Sequence, residues 1–194
     1  MENQPHGVSE TQLWLVRHGP TEWSRAGQHT SVTDLPLLPE GETEAAGLAP
    51  VLAKQEFALV LASPLLRARR TAELAGFPDA EVTDDLAEWE YGDYEGLTTS
   101  EIREQVPGWT VWTHPSPGGE TAAEVAARLD RVVERARAAD GRSLAFAHGH
   151  SLRVLAARWL GLAPEDGRLF RLDTATVSVL GYERETPVLL RWNA

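Results

Sequence analysis

The chain has 194 residues, 42% hydrophobic and 24% charged, which is enough for one sizeable core. A formal net charge of -11 disfavours general binding to nucleic acid or anionic membranes, and a chain with no Cys has no disulfide framework, thiol nucleophile or thiolate metal site. No apolar run approaches the roughly 20 residues of a membrane span, and residues 1–12 lack the basic and apolar regions of a secretory leader, so a cytoplasmic protein without a membrane partner is expected.

Residues 1–10 read as a loose tail and residues 11–194 as a single domain. Leu13 to Val16 is a short apolar run that ends at Arg17-His18-Gly19-Pro20, a buried strand running into a breaker. Pro20 to Pro39 is irregular, and a loop of that length in a compact domain is usually functional. A helix is expected from Pro39 to about Gln55 with Leu48, Val51 and Leu52 on one face. Leu59 to Ala62 is a second strand, and Ser63-Pro64 reads as an N-cap followed by proline at the first helical position. Glu81 to Thr83 suits a short edge strand, and Leu86 to Leu97 is an acidic, aromatic loop. Thr99 or Ser100 can cap a short helix, and Pro107 to Glu120 is a Pro/Gly/Trp loop. Thr121 opens an amphipathic helix with Val125, Leu129, Val132, Val133 and Ala136 at three- and four-residue spacing. Ser143 to Ala147 is a third buried strand, ended by His148-Gly149-His150, and Ser151 starts a helix. Leu169 to Leu172, Val177 to Tyr182 and Val188 to Trp192 alternate like antiparallel or edge strands. The alternation of strands and helices predicts an α/β fold with a mostly parallel central sheet and helices on both faces.

In such a sheet, ligands collect beyond the carboxyl ends of the strands. Three of those ends lead to Arg17-His18-Gly19, to Ser63 to Arg67, and to His148-Gly149. Two arginines and two histidines converging there suit an anion, and a phosphoryl group in transfer above all. Gly19 lets the backbone turn and lets a ligand approach closely. With no Cys, the nucleophile is His18, a Ser, a Thr or a metal-activated water. Arg17 beside His18 favours the neutral, nucleophilic imidazole. Glu88 or Glu90 is the candidate proton donor to the leaving oxygen, since an anionic substrate favours a protonated carboxyl. His148 and His150 share a spacing that metal ligands use, but without Cys or a carboxylate cluster beside them no metal is expected. Trp109 and Trp112 lie in a Pro/Gly-rich loop and are read as a cap over the leaving group.

These motifs, in this order, resemble the histidine phosphatase superfamily, in the branch of cofactor-dependent phosphoglycerate mutases and related phosphatases. Arg17-His18-Gly19 is similar to the signature triplet, Ser63 to Ala72 to the second arginine block, Leu86 to Gly96 to the acid-donor block, and His148-Gly149 to the second histidine. The resemblance implies a three-layer α/β/α sandwich and metal-independent hydrolysis of a small phosphate monoester, with no cofactor. It implies His18 as a nucleophile that becomes phosphohistidine. Arg17, Arg67 and His148 would bind the phosphoryl oxygens, and Glu88 rather than Glu90 would be the proton donor. Ser24 stands where many members have an Asn touching the phosphate; Gln28, His29, Thr30, Gly149 and Trp112 complete the expected substrate contacts. Mutases of this branch carry extra cations after the acid-donor block. The corresponding stretches here, Leu97 to Thr99 and Trp109 to His114, carry no Lys or Arg, so a second anionic group is expected to bind poorly. The chain therefore resembles the broad-specificity acid phosphatases of the branch. A sugar-bisphosphate phosphatase, to which Gln28 to Thr30 are similar, a phosphoglycerate mutase, and a catalytically silent binder of a phosphorylated ligand are the alternatives. Oligomeric state is left open, with a homodimer as one option.

Overall fold

The computed structural model describes residues 10–194, so all of the expected tail except Glu10 lies outside the described residues. Its sheet comprises β1 (Gln12–Arg17), β2 (Leu59–Ala62), β3 (Glu81–Val82), β4 (Arg142–Ala147), β5 (Val177–Glu183) and β6 (Thr186–Arg191), in the order β3-β2-β4-β1-β5-β6. The first four in that order are parallel, whereas β5 pairs antiparallel with β1 and β6 antiparallel with β5. Strand side chains alternate between two cores. Leu13 and Leu15 of β1 and Ala145 and Ala147 of β4 enter one core; Trp14, Val16, Leu144 and Phe146 enter the other. The first is covered by α6 (Ala122–Ala138) and α7 (Gly149–Trp159), the second by α3 (Ala49–Leu52) and α4 (Leu66–Leu74). Helices on both faces of one mostly parallel sheet make the α/β/α sandwich. Among the described residues no helix is long and apolar enough to cross a membrane.

Local chemistry sets the helix boundaries. Thr121 caps α6 through a reciprocal box: Glu124 N–H donates to Thr121 Oγ1 at 3.2 Å, and Thr121 N–H donates to Glu124 Oε2 at 2.8 Å. The same device starts α5 (Thr99–Gln105), but from Thr98 and Glu101 rather than from Thr99 or Ser100. The helix expected from Pro39 to Gln55 is two, α2 (Pro39–Gly47) and α3. Pro50, within α3, has no N–H to continue the ladder. Leu48 and Leu52 face the core, and Val51 stays 42% exposed.

The expected cap at Ser63 is also corrected. α4 begins at Leu66, and its first N–H donates to Asp34 Oδ1 from the long loop at 2.8 Å. That distant carboxylate does the work of a local cap, while the Ser63 hydroxyl accepts from Leu65 N–H at 3.3 Å. α7 begins at Gly149 rather than Ser151, with His148 at the cap position. No strand forms over Leu169 to Leu172: a 3₁₀ turn, Pro164–Leu169, runs into irregular backbone, and Leu172 is buried.

Candidate active site

The three expected strand ends are neighbours, because β2, β4 and β1 are adjacent and parallel. A cavity of about 400 Å³ opens beside them, lined by Arg17, His18, Glu88 and Gly149, by Ser24 to Thr30 in part, and by Trp109 to Trp112. His18 is 4% exposed, and its Nδ1 lies 2.7 Å from Gly19 O. A carbonyl can only accept, so Nδ1 carries the proton and Nε2 keeps its lone pair. Burial, followed by the charges of Arg67 and Arg17, holds the imidazole well below the usual histidine range. His18 is therefore neutral at ordinary pH, which is the nucleophilic form.

Arg67 is 1% exposed and His148 fully buried, and both stand behind the cavity wall. Arg67 Nε donates to His148 Nδ1 at 3.2 Å, while its Nη groups donate to Thr30 O, Ser31 O and Thr33 O. Arginine has no acceptor, so His148 carries its proton on Nε2 and donates it to Ser63 Oγ at 2.6 Å. The rings of His148 and His18 lie 5.2 Å apart.

Arg17 Nη1 donates to Leu172 O at 2.5 Å, whereas its Nε is buried without a hydrogen-bond partner. Burial lowers both Arg17 and Arg67 from the ordinary arginine range, and the carboxylate of Glu88 opposes this. The glycines also have distinct uses. A Cβ on Gly149 would lie 3.3 Å from Arg17 Cζ, so glycine lets the guanidinium rest against the start of α7. A Cβ on Gly19 would meet Gly41 O at 2.6 Å, so this glycine serves the packing of α2 rather than the approach of a ligand.

Glu88 accepts three backbone N–H bonds. Trp89 and Ser151 donate to Oε1 at 2.9 and 2.8 Å, and His150 donates to Oε2 at 3.1 Å. Two of these donors are first-turn amides of α7, where the helix dipole favours an acidic side chain. Glu90 is exposed, with its own N–H on Glu120. Ser24 lines the cavity, but its hydroxyl is spent in the cap of α1 (Glu22–Ala26), donating to Thr21 O at 3.1 Å. Gln28 Nε2, His29 Nδ1 and Thr30 Oγ1 pin their loop through Gly96 O, Leu97 O and Gln28 O. Trp109 belongs to the core at 1% exposure while still edging the cavity, and half-buried Trp112 forms part of its wall. His114 is half-buried, outside the cavity lining, with Nδ1 2.9 Å from Thr113 Oγ1.

Four participants escape the motif reading: Ser63 behind His148, Tyr91, Arg103 and Arg153. Tyr91, pushed well above its usual range by burial, stays protonated, and its hydroxyl lies 2.6 Å from His150 Nδ1. Arg103 and Arg153 line the cavity, so cations absent from the two expected stretches arrive from α5 and α7 instead. Their spacing is a usable signal. Thr99 and Arg103, like Gly149 and Arg153, are four apart on a helix and share a face.

Burial holds His18, His148 and His150 well below their ordinary range. The unfolded chain takes up protons near pH 6.5 and the folded one does not, so stability is full above that pH and falls on acidification toward the folded values. The slope is about 1.4 kcal/mol per histidine per pH unit. Thermal unfolding at pH 5.5 is therefore expected on the order of 10 °C below that at pH 7.5; an unchanged or higher midpoint would contradict neutral burial.

Residues 13–194 match the family model described as histidine phosphatase superfamily (branch 1). An acid phosphatase of Mycobacterium tuberculosis is 42% identical over 181 residues, covering 91% of this chain and 89% of the relative. A sedoheptulose 1,7-bisphosphatase of Saccharomyces cerevisiae is 39% identical over 181 residues, covering 76% and 67% respectively. The solved structure of an open reading frame product of Mycobacterium tuberculosis superposes with a TM-score of 0.91 at 39% identity, covering 95% of this chain and 98% of that one. The site geometry, the match along nearly the whole chain and the shared fold lead to one conclusion: the chain belongs to the histidine phosphatase superfamily, branch 1.

Proposed function

We propose that this phosphatase hydrolyses small phosphate monoesters through a phosphohistidine formed on His18. The observation that carries the reading is the state of His18: neutral, with Nδ1–H tied to Gly19 O and Nε2 free, next to the guanidinium groups of Arg17 and Arg67. Nε2 attacks phosphorus, the bond to the ester oxygen breaks, and its electron pair leaves with that oxygen. Glu88, when protonated, gives its proton to the departing oxygen, and an alcohol leaves. Water then attacks the phosphohistidine and passes a proton to Glu88. The P–N bond breaks with its electrons returning to Nε2, and inorganic phosphate is released.

The developing charge falls on the equatorial phosphoryl oxygens. Arg17 Nε supplies a donor that no protein acceptor uses, which supports its assignment to one of them. Arg67 acts on His18 through its charge, with Nε on His148 and its Nη groups on the carbonyls of Thr30, Ser31 and Thr33. His148 accepts from Arg67 through Nδ1 and carries its proton on Nε2, where it rests on Ser63 Oγ; binding a phosphoryl oxygen would take that proton over from the hydroxyl. One chain supplies every residue named, so residues 11–194 serve as one catalytic domain with or without a homodimer. Action in the cytoplasm accords with a chain that has no Cys and no use for an oxidising compartment.

The test uses p-nitrophenyl phosphate. Phosphate release should persist in EDTA, and a rapid quench should trap a phosphoenzyme that is labile in acid and stable in base. An acid-stable phosphoenzyme, or activity that chelation removes, would overturn the mechanism.

A further inference from the structure

Glu88 is held in two ways that respond differently to its proton. Its carboxylate rests on the N–H groups of Trp89, His150 and Ser151. A carboxyl that gains a proton gives up part of that hold, because the protonated oxygen donates instead of accepting. The main chain of Glu88 is held by Arg128 of α6 whatever the state of the carboxyl. Arg128 Nη1 donates to Asp85 O at 2.9 Å and to Ala87 O at 2.8 Å, and Nη2 donates to Glu88 O at 3.1 Å.

The remaining donors face Glu120, with Nε on Oε1 at 2.8 Å and Nη2 on Oε2 at 2.9 Å. Every N–H of the guanidinium fork is then in use, on a carboxylate and on the carbonyls of residues 85, 87 and 88. The arrangement follows from helix geometry. Glu120 immediately precedes the Thr121 cap, and helical side chains lean toward the amino end, so Arg128 reaches back over the start of α6. Glu120 does more than neutralise the cation. Its Oε2 also accepts Glu90 N–H at 3.0 Å, its own N–H donates to Glu90 O at 3.0 Å, and its carbonyl accepts Trp89 Nε1 at 2.9 Å. The side chains of Arg128 and Glu120 are only 12% and 20% exposed, so water competes little for these bonds.

We propose that the Arg128–Glu120 pair positions Glu88 for its acid–base step, fixing the carboxyl at the leaving oxygen in the protonated form, when its own amide contacts are weakest. Neither residue lines the cavity, so both are positioning residues that act through the main chain of Glu88. The inference rests on the phosphatase reading and on Glu88 as its proton donor.

The experiment separates placement from stability by leaving group. An alkyl ester such as glycerol 3-phosphate needs the proton, whereas the phenolate of p-nitrophenyl phosphate leaves unaided. Arg128→Lys keeps the charge opposite Glu120 but has no planar fork for the three carbonyls. Its kcat for glycerol 3-phosphate should fall about 10–100-fold, as expected for a misplacement of about 1 Å. The rate constant for the first release of nitrophenol should stay that of the wild type, while a phosphohistidine accumulates because Glu88 is also misplaced for the attacking water. Glu120→Gln should show the same split more weakly, and it decides alone by the same criterion if Arg128→Lys does not fold. Arg131→Gln is the control. Arg131 lies on the same helix and pairs with the side chain of Asp85 rather than its main chain, so both esters should be hydrolysed as by the wild type. A merely structural role would reduce the amplitude of the nitrophenol phase with the folded fraction and slow both esters equally. That result, or an alkyl-ester rate equal to that of the wild type, overturns the proposal. Failure of the reading beneath it looks different: Glu88→Gln itself then shows no split between the esters, or the wild type releases no phosphate from either.

Discussion

Replacing His18 with asparagine is expected to lower monoester hydrolysis on the order of 10⁴-fold or more and to abolish the phosphoenzyme. The amide has no lone pair at the position of Nε2, the chain has no Cys, and the Ser24 and Thr30 hydroxyls are bonded to Thr21 O and Gln28 O. The fold should persist. β1 is buried through Leu13 to Val16, and the His18 backbone N–H remains on Ala147 O. The measurement is the initial rate with p-nitrophenyl phosphate beside a melting curve. A residual rate within tenfold of wild type would show that the phosphoryl group goes to water or to another residue. The same variant carries a second readout. Removing one neutral, buried imidazole should also reduce the loss of stability between pH 7.5 and 5.5.

Much of this site is legible in the sequence because strand ends are local features. Apolar runs stopping at His18 and His148 mark the carboxyl edge of a parallel sheet, and the sheet order makes them neighbours. Glu88 against Glu90 is decided by resemblance, and the structure gives the physical difference: one carboxylate meets the start of α7, the other faces solvent. What escapes the sequence depends on partners far along the chain. Ser63 looks like a cap, but Asp34 takes the first amide of α4, and the Ser63 hydroxyl serves Leu65 N–H and His148 instead. Arg103 and Arg153 are unremarkable helix residues until α5 and α7 turn them toward one cavity. The irregular course of residues 170–172 has a similar cause, since Leu172 O is held by Arg17 rather than by a neighbouring strand.

Glu88→Gln should separate two steps that share one carboxyl. Gln can neither give a proton to the leaving oxygen nor take one from the attacking water. With an alkyl ester such as glycerol 3-phosphate, whose alkoxide is a poor leaving group, loss of the acid is expected to cost about 10²–10⁴-fold in kcat. With p-nitrophenyl phosphate the phenolate leaves without help, so His18 is still phosphorylated and the defect moves to the second step. The expected signature is a burst of nitrophenol stoichiometric with enzyme, followed by a slow steady rate and an accumulated phosphohistidine. Gln also offers one carbonyl oxygen where three N–H donors met two carboxylate oxygens, and its amide nitrogen must then face an N–H of Trp89, His150 or Ser151. An orphaned buried donor costs about 1–3 kcal/mol, so a lower melting temperature accompanies the kinetic change without explaining the burst. Glu88→Asp keeps the carboxylate and should recover part of the alkyl-ester rate. Glu90→Gln is the deciding control: Glu90 is exposed and its N–H rests on Glu120 Oε2, so the variant should behave as wild type on both esters. A burst in Glu90→Gln rather than Glu88→Gln would transfer the acid–base role to the exposed carboxylate. It would leave the buried one as no more than the cap that holds the start of α7.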